Sequence, residues 1–226
     1  MYGRSIGNIS CMYQMTYSPS REAFGIWFLV YAACGVTIAG QYILHDMGSP
    51  VFASDISNVY YALAWLFAAF WTPVFTTNTP FSHVCASGIL CLSSFFAIAA
   101  TAAEHAWQPG GDERRRWLIS TPFALLGGWT LAASALSVGI TWRVLDAHPN
   151  PPYPSLQDLT CRRGLSLWSW PSTWTYPAHW LPLLLAFTVA LTCFWAREPI
   201  VPLTLAWALF WMPPNPASFC GFCALL

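Results

Sequence analysis

Charge is what this sequence lacks most. Asp, Glu, Lys and Arg make up 8% of its 226 residues, against about 25% in a soluble domain. Lysine is missing altogether, so all nine basic residues are arginine, and nine acids balance them to a formal net charge of zero. With no basic tract, nucleic acid is excluded as a partner. No polar block is large enough to form a second domain. Catalytic patterns are missing as well: there is no Ser-His-Asp set, HExxH, P-loop or paired carboxylate, so the chain is not expected to be an enzyme. His45, His83, His105, His148 and His179 all fall at helix ends or in loops, which argues against a mid-membrane haem held by two axial histidines. No ionisable residue falls in the middle of an expected helix. Pumps, ion-coupled transporters and charge-lined channels carry such residues.

What is present is apolar sequence, at 56% hydrophobic residues. Apolar runs approach or exceed the ~20 residues that cross a bilayer. The expected fold is an all-α, polytopic transmembrane helical bundle with five to six membrane helices. Helices are expected over residues 23–44, 57–75, 81–103, 117–141, 178–196 and 200–212, the last too short to be a certain span. A short turn at residues 76–80 makes the second and third helices antiparallel neighbours. The chain then divides into a polar N-terminal segment (1–21), a four-helix core (22–141), an extramembrane loop (142–177), a helical hairpin (178–212) and a tail (213–226).

The fourth helix is the expected centre. In residues 122–137, Gly128, Ala132 and Ala135 recur at steps of four and three and make a small-residue face. Such faces let membrane helices approach closely, because lipid offers no hydrophobic drive for association. Trp129 lies among them and needs a socket.

The segments between helices carry weaker signals. Residues 1–21 hold Arg4, Arg21 and several Ser but no acid; they have a faint transit-segment character and no secretory core, and are read as an ordered polar segment. Residues 104–116 are expected to form a polar loop. Arg114, Arg115 and Arg116 there are candidates for anionic lipid headgroups, with a solvated helix start as the equal alternative. Trp168, Trp170, Trp174, Tyr176 and Trp180 are expected to form an interfacial aromatic belt, with a ligand cage as the lesser alternative. Of the eight cysteines, Cys34, Cys85, Cys91 and Cys193 fall in apolar runs as small hydrophobes. Cys223-Ala-Leu-Leu226 fits the prenylation pattern, but a lipid anchor is redundant on a chain with several spans. Cys220 and Cys223 lack a second pair for zinc, so no metal site is expected.

Three phrases, in order, carry a resemblance. Phe24-Gly-Ile-Trp27 with Tyr31, Trp71-Thr-Pro-Val-Phe75, and Pro122-Phe123 through Gly128-Trp129 and Ala133 resemble the corresponding phrases of the extended TspO/MBR family, the tryptophan-rich sensory or translocator proteins. The resemblance covers residues 22–141. It implies a small helical bundle with an apolar, aromatic-lined pocket for a tetrapyrrole, sterol or lipid. By position, Trp27, Tyr31, Trp71, Pro73, Phe75, Phe123 and Trp129 would line or support that pocket. Three polar positions of the family pattern differ here: Ala68 stands for Asn, Leu126 for Tyr and Ser137 for Asn.

Thinned polar handles and the lack of intramembrane charge lead to a first expectation. The chain is a structural or accessory subunit of a larger membrane complex in an organellar inner membrane, with membrane lipids and other membrane subunits as partners. The alternative is a binding protein for an apolar ligand.

Overall fold

The computed structural model describes residues 21–46, 54–107, 113–146 and 181–211, together with Ile6 and Ile9. A 3-10 turn, Arg21–Gly25, leads into α1 (Ile26–Asp46). It is followed by α2 (Asp55–Thr76), α3 (Pro80–Trp107), α4 (Glu113–Asp146), α5 (Leu181–Trp195) and α6 (Ile200–Phe210). No strand occurs among the described residues. Four helices are long and apolar enough to cross a membrane, and α5 and α6 are shorter apolar helices. α5 is described over 15 residues from Leu181; at about 1.5 Å per residue, the 11 residues of α6 fall short of a ~30 Å hydrocarbon core. The chain is an integral, multi-pass membrane protein with four helices of spanning length and two shorter apolar helices among the described residues.

Several boundaries differ from the sequence-based expectation, each for a local reason. The first helix opens with a 3-10 turn and becomes α-helical only at Ile26. The second begins earlier than residue 57 because Ser54 caps it: Ser54 Oγ accepts the Ser57 N–H at 3.1 Å. Residues 104–107 are helical, not loop. Glu104 is fully buried, and its Oε2 accepts the Ser54 backbone N–H at 3.0 Å. The acid that suggested an exit from the membrane in fact ties the end of α3 to the start of α2. Arg114, Arg115 and Arg116 lie in the first turn of α4 rather than in a loop; their side chains are outside the described residues. At its other end α4 runs past residue 141, because Val144, one turn after Ile140, is buried in the same cluster.

α4 is the centre. The other long helices α1 and α3 pack on it, as do α5 and α6, whereas α2 packs on α3. Accordingly 67% of α4's apolar window is buried inside the bundle, against 11% of α2's. The contacts use neighbouring glycines on opposite sides. A Cβ on Gly127 would stand 3.0 Å from Ile98 Cγ1 of α3, and one on Gly128 would stand 2.6 Å from Thr204 Cβ and 2.7 Å from the Val201 carbonyl oxygen of α6. Ala135 is buried in the cluster that joins α4 to α5 and α6, and Ala132 packs at its edge.

Hydroxyls stitch α3 into the bundle. Ser93 Oγ donates to the Ala64 carbonyl of α2 at 2.8 Å. On the opposite side, Thr141 Oγ1 donates to the His83 carbonyl at 2.9 Å. That uses its single proton, so Ser87 must donate to Thr141 across 2.7 Å. Ser137 must then donate to Ser87 across 2.9 Å. The many Ser residues of α3 serve as interhelical ties where water is absent.

Pro122 sits inside α4 and has no N–H for the carbonyl four residues back, Leu118. Thr37 of α1 supplies the missing donor: its Oγ1 lies 2.6 Å from the Leu118 oxygen. The helix thus keeps a proline in its interior, and the freed acceptor becomes a link between helices.

The α5–α6 reversal uses Arg197 in the left-handed region, with φ 65°. Glu198 is buried, and its Oε1 accepts the Ile200 N–H at 3.1 Å, closing the N-terminus of α6. Its Oε2 lies 3.1 Å from His105 Nε2 at the end of α3, a contact out of hydrogen-bond alignment. The acids of α3 and of the hairpin therefore gather at one end of the bundle, away from mid-membrane.

Candidate functional site: an aromatic cavity

A cavity of about 390 Å³ opens between the start of α1, the second half of α2, α4 and the end of α6. Its walls follow from helical spacing. On α2, Trp65, Ala68, Trp71, Thr72 and Phe75 recur at three to four residues, so they share a face. On α4, Trp129, Ala132, Ala133, Leu136 and Ile140 do the same. Leu90 contributes from α3 and Ala208 from α6.

The aromatic rings are held by one another. Trp129 is buried at 5% exposure. Phe24 meets it edge-on at 5.4 Å between centroids, and Trp27 meets it edge-on at 6.4 Å. Trp27 in turn reaches Trp65 across the gap to α2 at 6.0 Å. Trp71 stacks on Phe75 at 5.0 Å. α1 and α2 therefore meet chiefly through aromatic side chains, with the cavity behind them.

Polar chemistry on the wall is sparse. Thr130 Oγ1 donates to the Leu126 carbonyl at 2.8 Å, and Ser137 donates into the Ser87 chain, so both present only lone pairs. Trp71 Nε1 is a buried donor without a partner. None of the described lining residues is ionisable. The described wall offers no charge or acid–base pair; it can surround an apolar body.

The family model for TSPO-like proteins matches residues 1–148. The chain belongs to the TSPO-like family. The match spans the N-terminal segment and the four long helices of the TSPO-like core and ends before α5. No curated protein and no solved structure matches the chain significantly.

Seven residues carried over from the family pattern can now be placed. Trp27, Trp71, Phe75 and Trp129 line the TSPO-like cavity. Tyr31 does not: it is 60% exposed and stacks on Trp27 and Trp65 at 5.8 and 6.0 Å. Phe123 is buried elsewhere, 4.4 Å from Tyr61, in a cluster with Ala100 and Ile119 nearer the Glu104 end of α3. Pro73 is on an exposed face of α2, off the Trp71–Phe75 stripe. Of the three departures, Ala68 and Ser137 are wall residues. Leu126 is fully buried against Ala64 and Ala97, so its change affects packing and not the cavity.

Sequence reasoning missed most of the wall, including Trp65, Thr72, Leu136 and Ile140 as well as Phe24, Leu90, Ala208 and Ile6. Phe24 was readable as the residue three before Trp27. Ala208 and Ile6 carried no local signal, since they come from segments distant in the chain. Among the described residues no cluster of His, Cys, Asp or Glu is arranged to hold a metal. The aromatic belt residues and Cys223 lie outside the described residues.

Proposed function

We propose that this chain binds a largely apolar molecule in the α2–α4 cavity. The observation that carries this reading is an aromatic chamber of about 390 Å³ with no ionisable wall residue. Its volume is toward the low end of the ~300–1,000 Å³ typical of ligand sites, which suits a sterol-sized body or part of a tetrapyrrole or lipid. Purified protein in detergent should show saturable quenching of tryptophan fluorescence on addition of protoporphyrin IX, and Trp129→Ala should abolish it. Linear, non-saturable quenching would count against the reading.

A second reading, an accessory subunit of a larger membrane complex, is supported by one feature. Ala68 and Ser137 leave the wall without free orienting donors at two positions where the family pattern carries Asn. Under this reading the endogenous protein migrates on a native gel well above its own 25.1 kDa. Migration at that mass alone would exclude it.

A further inference from the structure

The hydroxyls on the α4 side of the cavity point one way. The wall stripe of α4 runs through Trp129, Ala133, Leu136 and Ile140. Ser137 borders the cavity at the edge of that stripe, where its hydrogen bond to Ser87 joins α4 to α3. Leu90 of α3 is a wall residue and Ser87, about one turn before it, is not. The Ser87–Ser137 bond therefore lies at the seam where the two helices meet beside the cavity, and both residues are buried there.

The direction of that bond is set outside the cavity. A hydroxyl has one proton to give, and a carbonyl can only accept. Thr141 gives its proton to the His83 carbonyl at 2.9 Å. Ser87 then gives its own to Thr141 at 2.7 Å, and Ser137 gives its own to Ser87 at 2.9 Å. The three bonds coexist in this order alone. Ser137 is left with acceptor capacity and nothing to donate. Thr130, the other hydroxyl on the α4 wall, is in the same state, because its Oγ1 donates to the Leu126 carbonyl at 2.8 Å. The donor groups of the wall, on Trp71 and Thr72, belong to α2.

We propose that Ser137 is a polarity filter. It favours an apolar ligand that presents a hydroxyl or N–H to α4 over one that presents a ketone or ether oxygen. The inference rests on the ligand-binding reading above and deepens it by naming the ligand's polar group. A donor ligand extends the chain by one bond and leaves the others intact. An acceptor-only ligand sets lone pair against lone pair, and is met only if Ser137 gives up Ser87. Ser87 touches no ligand; it is a positioning residue that holds the Ser137 proton away from the cavity.

The test uses two sterols of one skeleton. 5α-Cholestan-3β-ol can donate, and 5α-cholestan-3-one can only accept. Binding of the tritiated alcohol to the full chain is measured in sterol-free lipid nanodiscs, with the ketone as competitor. The filter predicts the alcohol tighter than the ketone by about three- to tenfold, the range of one net hydrogen bond. Ser137→Ala should weaken the alcohol and bring the two affinities together. Ser87→Ala should bring them together from the other side: the freed Ser137 proton turns to the ketone, whose affinity rises while the alcohol's holds. Packing damage weakens both sterols and does not produce that gain. Ser134→Ala is the control, since Ser134 is buried on α4 and donates to the Thr130 carbonyl at 2.7 Å without lining the cavity; the preference should not change. Equal wild-type affinities for the two sterols, or an undiminished preference in Ser87→Ala, overturn the filter and leave the binding reading standing. Saturable protoporphyrin IX binding without alcohol binding does the same. If neither sterol nor protoporphyrin binds saturably, the binding reading has failed and the filter falls with it.

Discussion

Gly128→Val should separate the α5–α6 hairpin from the four-helix core. The clash begins at the first added atom: a Cβ there would stand 2.6 Å from Thr204 Cβ and 2.7 Å from the Val201 carbonyl oxygen. One neighbour is backbone and the other is a β-branched carbon, so neither can swing aside. Overpacking of this kind costs about 1–3 kcal/mol when the surroundings adjust. Here adjustment means moving α6 away, which also loses the packing of Val201 and Leu205 in the cluster shared with α5. Thermal unfolding in detergent should show a lower Tm, and limited proteolysis should cut between α5 and α6 sooner. Gly88→Ala and Gly35→Ala are the internal controls. Nothing lies within 4 Å of a Cβ at either position, and both are helical, so alanine should be neutral or stabilise by up to ~1 kcal/mol. Equal effects at Gly128 and Gly88 would mean that glycine at 128 reflects composition and not contact.

Thr37→Val should destabilise the protein in a way that Pro122→Ala cancels. Valine keeps the shape of threonine and removes the hydroxyl that donates to the Leu118 carbonyl at 2.6 Å. Interhelical hydrogen bonds in membranes average about 0.6 kcal/mol and reach about 1.7, because freed groups usually find other partners. The Leu118 oxygen has fewer alternatives, since Pro122 withholds the helical N–H that would take it. The expected loss is therefore toward the upper end, about 1–2 kcal/mol. In a Pro122→Ala background the helix satisfies Leu118 itself, and the same substitution should cost less than about 0.5 kcal/mol. A double-mutant cycle measured by SDS unfolding should show coupling of about 1 kcal/mol or more. Additive effects would show that the threonine acts by packing and not by serving the proline-freed carbonyl.

Much of this was legible before any coordinates. Gly128, Ala132 and Ala135 placed the small-residue face on the fourth helix, and the family resemblance at Trp71 and Phe75 named two rings that share one stripe. The failures have a common physical source. In a soluble helix, apolar residues mark the buried face; in a membrane the lipid-facing side is apolar too. Nothing in the composition of α1 distinguished Trp27, inside, from Tyr31, one turn on and facing outward. Glu104 was misread for the opposite reason: an acid normally signals water, but this one is buried because it has a backbone N–H to hold. Ile6 and Ile9 were hidden by their polar neighbours. A short apolar pair in a polar segment has no periodicity to reveal it.

The most direct test of the central claim, that the bundle around α4 encloses a chamber for an apolar ligand, is Ala133→Phe. Ala133 lines the cavity and is only partly buried, so a phenyl ring there has empty space to enter. A protoporphyrin titration, read beside thermal unfolding of the same sample, should find the fold intact, with Tm unchanged or higher, and saturable binding gone. A filled variant that unfolds like wild type and still binds protoporphyrin with wild-type affinity would contradict the account.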